Sequence, residues 1–193
     1  MVKLVTVIGS TRDGRFAPVV RDWFARQVGL RDDIEHDVLD LADVRLPDAL
    51  PAYGEQPAPA VAAAVEAVRP RLAAADAFVV VTPEYNHSFP AALKTAIDWY
   101  YAEWSAKPVG FVSYGGVGGG LRAVEQLRQV FVEVHAVPVR DQVSFHSGWE
   151  RFDEHGEPHE AEAVGGAAKV LLDRVVWWAD ALKDARARRP YEV

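Results

Sequence analysis

Apolar positions along this chain follow two rhythms. Short, nearly continuous apolar runs rich in β-branched residues alternate with longer segments in which apolar residues return every three or four positions. Val2 to Ile8 is the first run and reads as a strand covered on both faces. After the polar loop Gly9 to Gly14, residues Val19, Val20, Trp23, Phe24 and Val28 give the segment Pro18 to Val28 helical spacing. Ile34 to Leu41 is a second strand interrupted by acids, and the proline-rich stretch Pro47 to Pro59 is an ordered loop or crossover. Ala60 to Ala75 is a helix that Pro70 is expected to kink or divide.

Ala77 to Thr82 forms the third strand, followed by a helix from Pro90 to Trp104. Pro108 to Tyr114 is the fourth strand, Leu121 to Glu133 a helix, and Val137 to Phe145 the last strand. A charged loop, Gly148 to Pro158, leads into a long amphipathic helix, Glu160 to Ala187. Within it, Trp177 and Trp178 are assigned to packing against the sheet. The cations Arg186, Arg188 and Arg189 suit its carboxyl end, where they oppose the helix dipole.

Strands alternating with helices predict an α/β fold with right-handed crossovers. Five such strands favour a three-layer sandwich around a five-stranded parallel sheet in the order 2-1-3-4-5. Neither an internal repeat nor a linker interrupts the chain, so residues 1–193 are expected to form a single domain.

Composition narrows the class. Half of the 193 residues are hydrophobic, enough for a full core, and the net charge of -7 argues against a nucleic-acid partner. With no cysteine, disulfides, thiolate metal sites and thiol nucleophiles are excluded. No run approaches the ~18 apolar residues of a membrane span, and Met1 to Ile8 lacks the pattern of a secretory leader. A cytoplasmic protein is the expectation. The histidines 36, 135, 146, 155 and 159 lack helical ligand spacing, so no metal is expected, and Ser10 lies outside a hydrolase elbow.

Three loops at the carboxyl ends of strands carry unusual residues, and this topology clusters them on one edge, where open α/β sheets bind ligands. "IGSTRDGRFAP" offers backbone N–H groups, the Ser10 and Thr11 hydroxyls and a helix start, with Arg12 and Arg15 as bidentate donors for phosphate. It is neither the dinucleotide fingerprint nor a P-loop. Alone, it reads equally well as a polar turn with two solvated arginines. In "TPEYNHSFP", Pro83 stops the strand and Asn86 tolerates a left-handed turn. That turn would offer backbone groups, Tyr85 and the Asn86 amide to a flat heteroaromatic ligand. His87 is more simply a solvated loop residue. "SYGGVGGGLR" permits close backbone approach before a helix.

Taken together, "GSTRDGR", "TPEYNHSFPAALKTAIDW" and "SYGGVGGGLRAVEQLR" resemble the NADPH-dependent FMN reductases, a flavodoxin-like family, from about Lys3 to Phe145. The resemblance implies FMN, with NADPH or NADH as electron donor. Ser10, Arg12 and Arg15 would hold the phosphate. Pro83, Glu84, Tyr85 and Asn86 would line the isoalloxazine, and Ser113, Gly115 and Gly116 its pyrimidine side. Many relatives carry Ser and Asn late in the first loop, where this chain has Arg15 and Ala17. The flavin performs the redox step, so no catalytic side chain is expected.

The activity implied is transfer of a hydride from NAD(P)H to FMN and onward to a flavin, a quinone or another small acceptor. A flavodoxin-like electron carrier and a flavin-binding redox regulator are the alternatives. The helix after Pro90 carries Leu93, Ile97, Trp99, Tyr100, Tyr101 and Trp104 around much of its circumference. An outward aromatic patch there would join a homodimer, or a homotetramer, near the flavins.

Overall fold

In a computed structural model, which describes residues 1–44 and 46–192, five parallel strands run in the order β2-β1-β3-β4-β5. They are β1 (Val2–Ile8), β2 (Ile34–Asp40), β3 (Ala77–Pro83), β4 (Pro108–Gly115) and β5 (Val137–His146). The helices are α1 (Ala17–Gly29), α2 (Pro59–Ala74), α3 (Ala91–Trp99), α4 (Tyr101–Trp104), α5 (Leu121–Glu133) and α6 (Ala161–Arg188).

The period of two within each strand sorts the core into two slabs. Ala77, Val79 and Val81 of β3 face α1 and α6, meeting Trp23, Phe24, Leu171 and Val175. Phe78 and Val80 face α2, α3 and α5, meeting Leu72, Ile97, Trp104 and Phe131. Both faces of the central strands are therefore covered, which is why they are apolar without interruption. The expected sandwich and strand order are both present.

Two helices depart from their expected form. Pro70 sits inside α2 without ending it. The segment after Pro90 instead divides at Tyr100, whose φ of -127° and ψ of 66° separate α3 from α4. Leu93, Ile97, Tyr100 and Trp104, spaced by four, three and four residues, all point inward. The Tyr100 hydroxyl donates to Val65 O at 3.0 Å and Trp104 Nε1 to Ile97 O at 3.2 Å. Trp99 Nε1 donates to Pro47 O at 3.0 Å, and only Tyr101 is largely exposed, edge-on to His135. The outward aromatic patch expected on this helix is absent, because these rings build the subunit's own core. Trp177 and Trp178 show the reverse: expected against the sheet, they lie on the outer face of α6.

Candidate functional site

The loops after β1, β3 and β4 converge at the carboxyl edge of the sheet, and a fourth joins them. Glu84 N donates to Tyr114 O at 3.0 Å, extending the β3–β4 ladder past the last strand residues. The backbone N–H of Ser147, after β5, donates to Gly116 O at 2.9 Å, while Ser144 Oγ donates to Gly119 O at 2.8 Å. His146 Nδ1 lies 2.8 Å from Val117 O, and a Cβ on Gly116 would stand 3.6 Å from the Trp149 ring. Sequence reasoning missed this fourth segment. Its serines and histidine carry no motif and act only through the glycine loop they brace.

The turn after β3 takes its shape from two left-handed residues, Asn86 (φ 50°) and His87 (φ 74°). Tyr85 N donates to Ser88 O at 2.8 Å and Ser88 N to Tyr85 O at 3.1 Å, so residues 85–88 close a hairpin of the primed type. Asn86 suits such a position; histidine is costlier there. Helix α5 holds the turn in place. Gln126 Nε2 donates to His87 O at 2.9 Å and Gln126 Oε1 accepts from Ser88 Oγ at 2.6 Å, while Arg122 Nη1 reaches His87 Nδ1 at 3.2 Å. Glu84 is paired with Arg122 through its carboxylate, so its side chain ties β3 to α5 and only its backbone remains for a ring edge.

The phosphate loop differs from expectation at Arg15. Its Nη1 donates to Asp40 Oδ1 (2.6 Å) and Ser10 O (2.7 Å), and its Nη2 to Asp40 Oδ2 (2.8 Å). Asp40 ends β2 and is buried, and its hydrogen bond holds the Arg15 guanidinium above its ordinary pKa. Arg15 therefore braces the loop instead of standing ready for an anion. Arg12 is left open for that role: its guanidinium makes no hydrogen bond or ion pair among the described residues and lines two adjoining cavities of about 660 and 550 Å³. Thr11, Ala91 and Ala92 also line both cavities, which makes them one trough running from the β1 loop to Tyr85 and Asn86.

Ser10 is fully buried and shares a 2.7 Å hydrogen bond with the Tyr85 hydroxyl. Ser113 is buried too, donating to Gly119 O at 2.9 Å; it shapes the glycine loop from beneath. Pro83 ends β3 within the core, and Gly115 and Gly116 lie at the loop's start. Tyr114 was not anticipated. Its ring packs edge-on to Phe16, and its buried hydroxyl has no hydrogen-bond partner among the described residues. Burial, followed by the neighbouring Tyr85 phenol, pushes its pKa well above the usual range, so it remains a donor.

A buried donor without a partner costs free energy unless a bound group or water satisfies it. Its position beside the Ser10–Tyr85 pair and Arg15, against Phe16 at the start of α1, is chemically suited to an anionic head group. The left-handed turn and the glycine loop suit a flat ring. The trough therefore fits a flavin mononucleotide in donor set and in shape.

Residues 2–150 match the NADPH-dependent FMN reductase family. The chain belongs to this family. It is 34% identical over 145 residues to an NAD(P)H-dependent FMN reductase of Schizosaccharomyces pombe, covering 70% of each chain. It is 36% identical over 141 residues to a quinone reductase of Escherichia coli, covering 70% of this chain and 72% of that one. In fold it is similar to the flavoenzyme NAD(P)H:(acceptor) oxidoreductase FerB of Paracoccus denitrificans. That match has a TM-score of 0.71 at 22% identity and covers 92% of this chain and 98% of the other. Membership of the reductase family makes NAD(P)H-driven, flavin-dependent oxidoreduction the activity of this chain. Among the described residues, no helix is long and apolar enough to cross a membrane, and no three His, Asp or Glu side chains group as a metal site.

Proposed function

We propose that the protein is a cytoplasmic FMN-dependent NAD(P)H oxidoreductase that reduces quinones, free flavins or similar small acceptors, working as a homodimer. The observation that carries this reading is the trough shared by Thr11, Arg12, Tyr85 and Asn86, with an unpartnered buried phenol beside it in a chain of the reductase family. A location inside the cell is where the electron donor is found.

The redox chemistry is supplied by bound FMN: hydride acceptance from NAD(P)H, then electron delivery to the acceptor. The residues supply binding and electrostatics. Arg12 and the N–H groups at the start of α1 hold the phosphate, and the Tyr114 hydroxyl donates to it. Arg15, fixed by Asp40, keeps the Ser10 carbonyl turned away from that anion. Backbone groups of residues 83–86 and 115–116 meet the ring edge, and their N–H dipoles stabilise negative charge arriving there. Gln126 and Arg122 hold the turn so that little reorganisation accompanies the reaction.

The test is a visible spectrum of the protein loaded with FMN, then steady-state oxidation of NADH and NADPH against a quinone. Double-reciprocal plots are expected to be parallel, since one open face must release nicotinamide before an acceptor stacks. Intersecting lines would overturn the shared-face reading. An electron carrier would bind FMN yet turn over negligibly without a partner reductase.

A further inference from the structure

Trp149 stands open at the carboxyl edge of the sheet, with 59% of its surface exposed. It follows β5 in a single helical turn, Gly148–Glu150, and its ring packs beside Gly116, where a Cβ would lie 3.6 Å away. Val117, the next residue of the glycine loop, is 93% exposed, and its carbonyl accepts from His146 Nδ1 at 2.8 Å. An indole and a branched aliphatic chain thus flank the backbone that meets the flavin ring. Exposed apolar side chains scattered singly need no explanation; two beside one ligand-binding loop do.

The turn that presents Trp149 is strained. Ser147 is held left-handed at φ 48°, a conformation that residues other than glycine rarely adopt. Its N–H donates to Gly116 O at 2.9 Å, Glu150 N to Ser147 O at 2.8 Å, and Arg151 Nε to His146 O at 3.0 Å. Gly148 allows the close approach, since a Cβ there would stand 3.2 Å from the Tyr114 Cβ. The segment is pressed against the end of β4, and its hydrogen bonds keep the indole outside the core. Backbone strain and an exposed indole both destabilise the free subunit. Together, beside a redox site, they point to a second molecule that the indole receives.

Shape and chemistry say which. Trp149 and Val117 line neither cavity of the trough, so they flank the place of the cofactor without enclosing it. An indole offers a broad apolar face and one N–H donor. A flat ring bearing carbonyl oxygens matches both features, whereas a compact metal complex or oxyanion has no face to stack. We propose that Trp149, with Val117, is the binding platform for the electron acceptor and selects planar aromatic acceptors of the quinone class. The proposal rests on FMN occupying the trough.

Two acceptors compared on one FMN-loaded enzyme test this. With NADH or NADPH as donor, kcat/KM is measured for menadione, a flat quinone, and for ferricyanide, which has no aromatic face. In Trp149→Ala the menadione-to-ferricyanide ratio should fall about tenfold or more, through KM for menadione, as loss of an aromatic stacking partner entails. Trp149→Phe keeps a flat ring and should restore most of the ratio. Val117→Ser changes a side chain that packs against almost nothing, so it should fold as wild type and lower the ratio about twofold. A second readout needs no turnover: menadione titrated into the oxidised, FMN-loaded protein should perturb the flavin absorbance, at about tenfold higher concentration in Trp149→Ala than in wild type. An unchanged ratio in Trp149→Ala or in Val117→Ser, as expected if the indole met another protein chain, would overturn the proposal. Absence of a flavin spectrum from the wild-type protein would instead remove the reading on which it rests, and the proposal with it.

Discussion

The two ends of the sheet both carry buried charge, and they use it differently. At the amino edge, groups are matched to one another. Lys107 Nζ donates to Leu72 O and Ala73 O at 2.9 and 3.0 Å, serving the last carbonyls of α2. Asp76 accepts from Lys3 N at 3.0 Å and from Lys183 Nζ at 2.8 Å. Glu103 leaves one oxygen unpartnered among the described residues, but its other oxygen is paired with Arg69. At the carboxyl edge, a whole phenol is left without a partner among the described residues and a guanidinium stands open. An edge whose polar groups are mutually satisfied holds the fold together; an edge that leaves donors open is prepared for a ligand.

Arginines 12 and 15 give the sharpest way to break that comparison, because they lie in one loop on opposite sides of it. Arg15→Ala leaves buried Asp40 with the Ala42 N–H at 3.0 Å and Arg21 at 3.6 Å, and should lower stability by about 2–3 kcal/mol in urea denaturation. Arg12→Ala should leave that curve unchanged while weakening FMN binding by about 1.5–3 kcal/mol, read from quenching of flavin fluorescence. If both variants behaved alike, the division of labour within the loop would be lost.

At the amino edge, burial, with Arg186 adding repulsion, lowers the Lys107 pKa to about 8. The unfolded value is ~10.4, so between these values the folded protein releases a proton that the unfolded chain keeps. Stability should therefore rise as pH climbs from 8 towards 10, by at most about 1.4 kcal/mol per unit. Above that window, Tyr100, raised by burial to about 12, works in the opposite direction. Denaturation at several pH values should show the rise in wild type and not in Lys107→Met.

Tyr114→Phe should separate folding from binding by sign. Deleting an unpartnered hydroxyl leaves apoprotein stability equal or higher, by up to about 1 kcal/mol, while FMN affinity falls. A loss of stability without loss of affinity would mean that the hydroxyl serves the fold. The smallest effect expected is that of Gln126→Ala, which frees the left-handed turn. FMN affinity and stability should each drop by about 0.5–1 kcal/mol, measured by fluorescence titration and thermal melting.

Much of this protein was determined by the sequence itself. The β-branched runs and the helical spacing between them specify five buried parallel strands and their crossovers, because each element carries its own period wherever it lies. The stop at Pro83, the left-handed Asn86 and the glycine run after β4 were legible for the same local reason: torsional preference belongs to the residue. Which polar groups remain open was not legible. Arg15 and Arg12 look alike in sequence, and only the arrival of Asp40 at the end of β2 consumes one of them. Tyr114 reads as one more strand residue until the fold buries its hydroxyl without a partner among the described residues. The rings after Pro90 and the two tryptophans of α6 exchange inside for outside, because each helix carries apolar residues on more than one face and only the neighbouring elements select the face that is buried. Local torsion and period are properties of short segments, whereas pairing and exposure depend on residues far apart in the chain, so only the tertiary structure decided them.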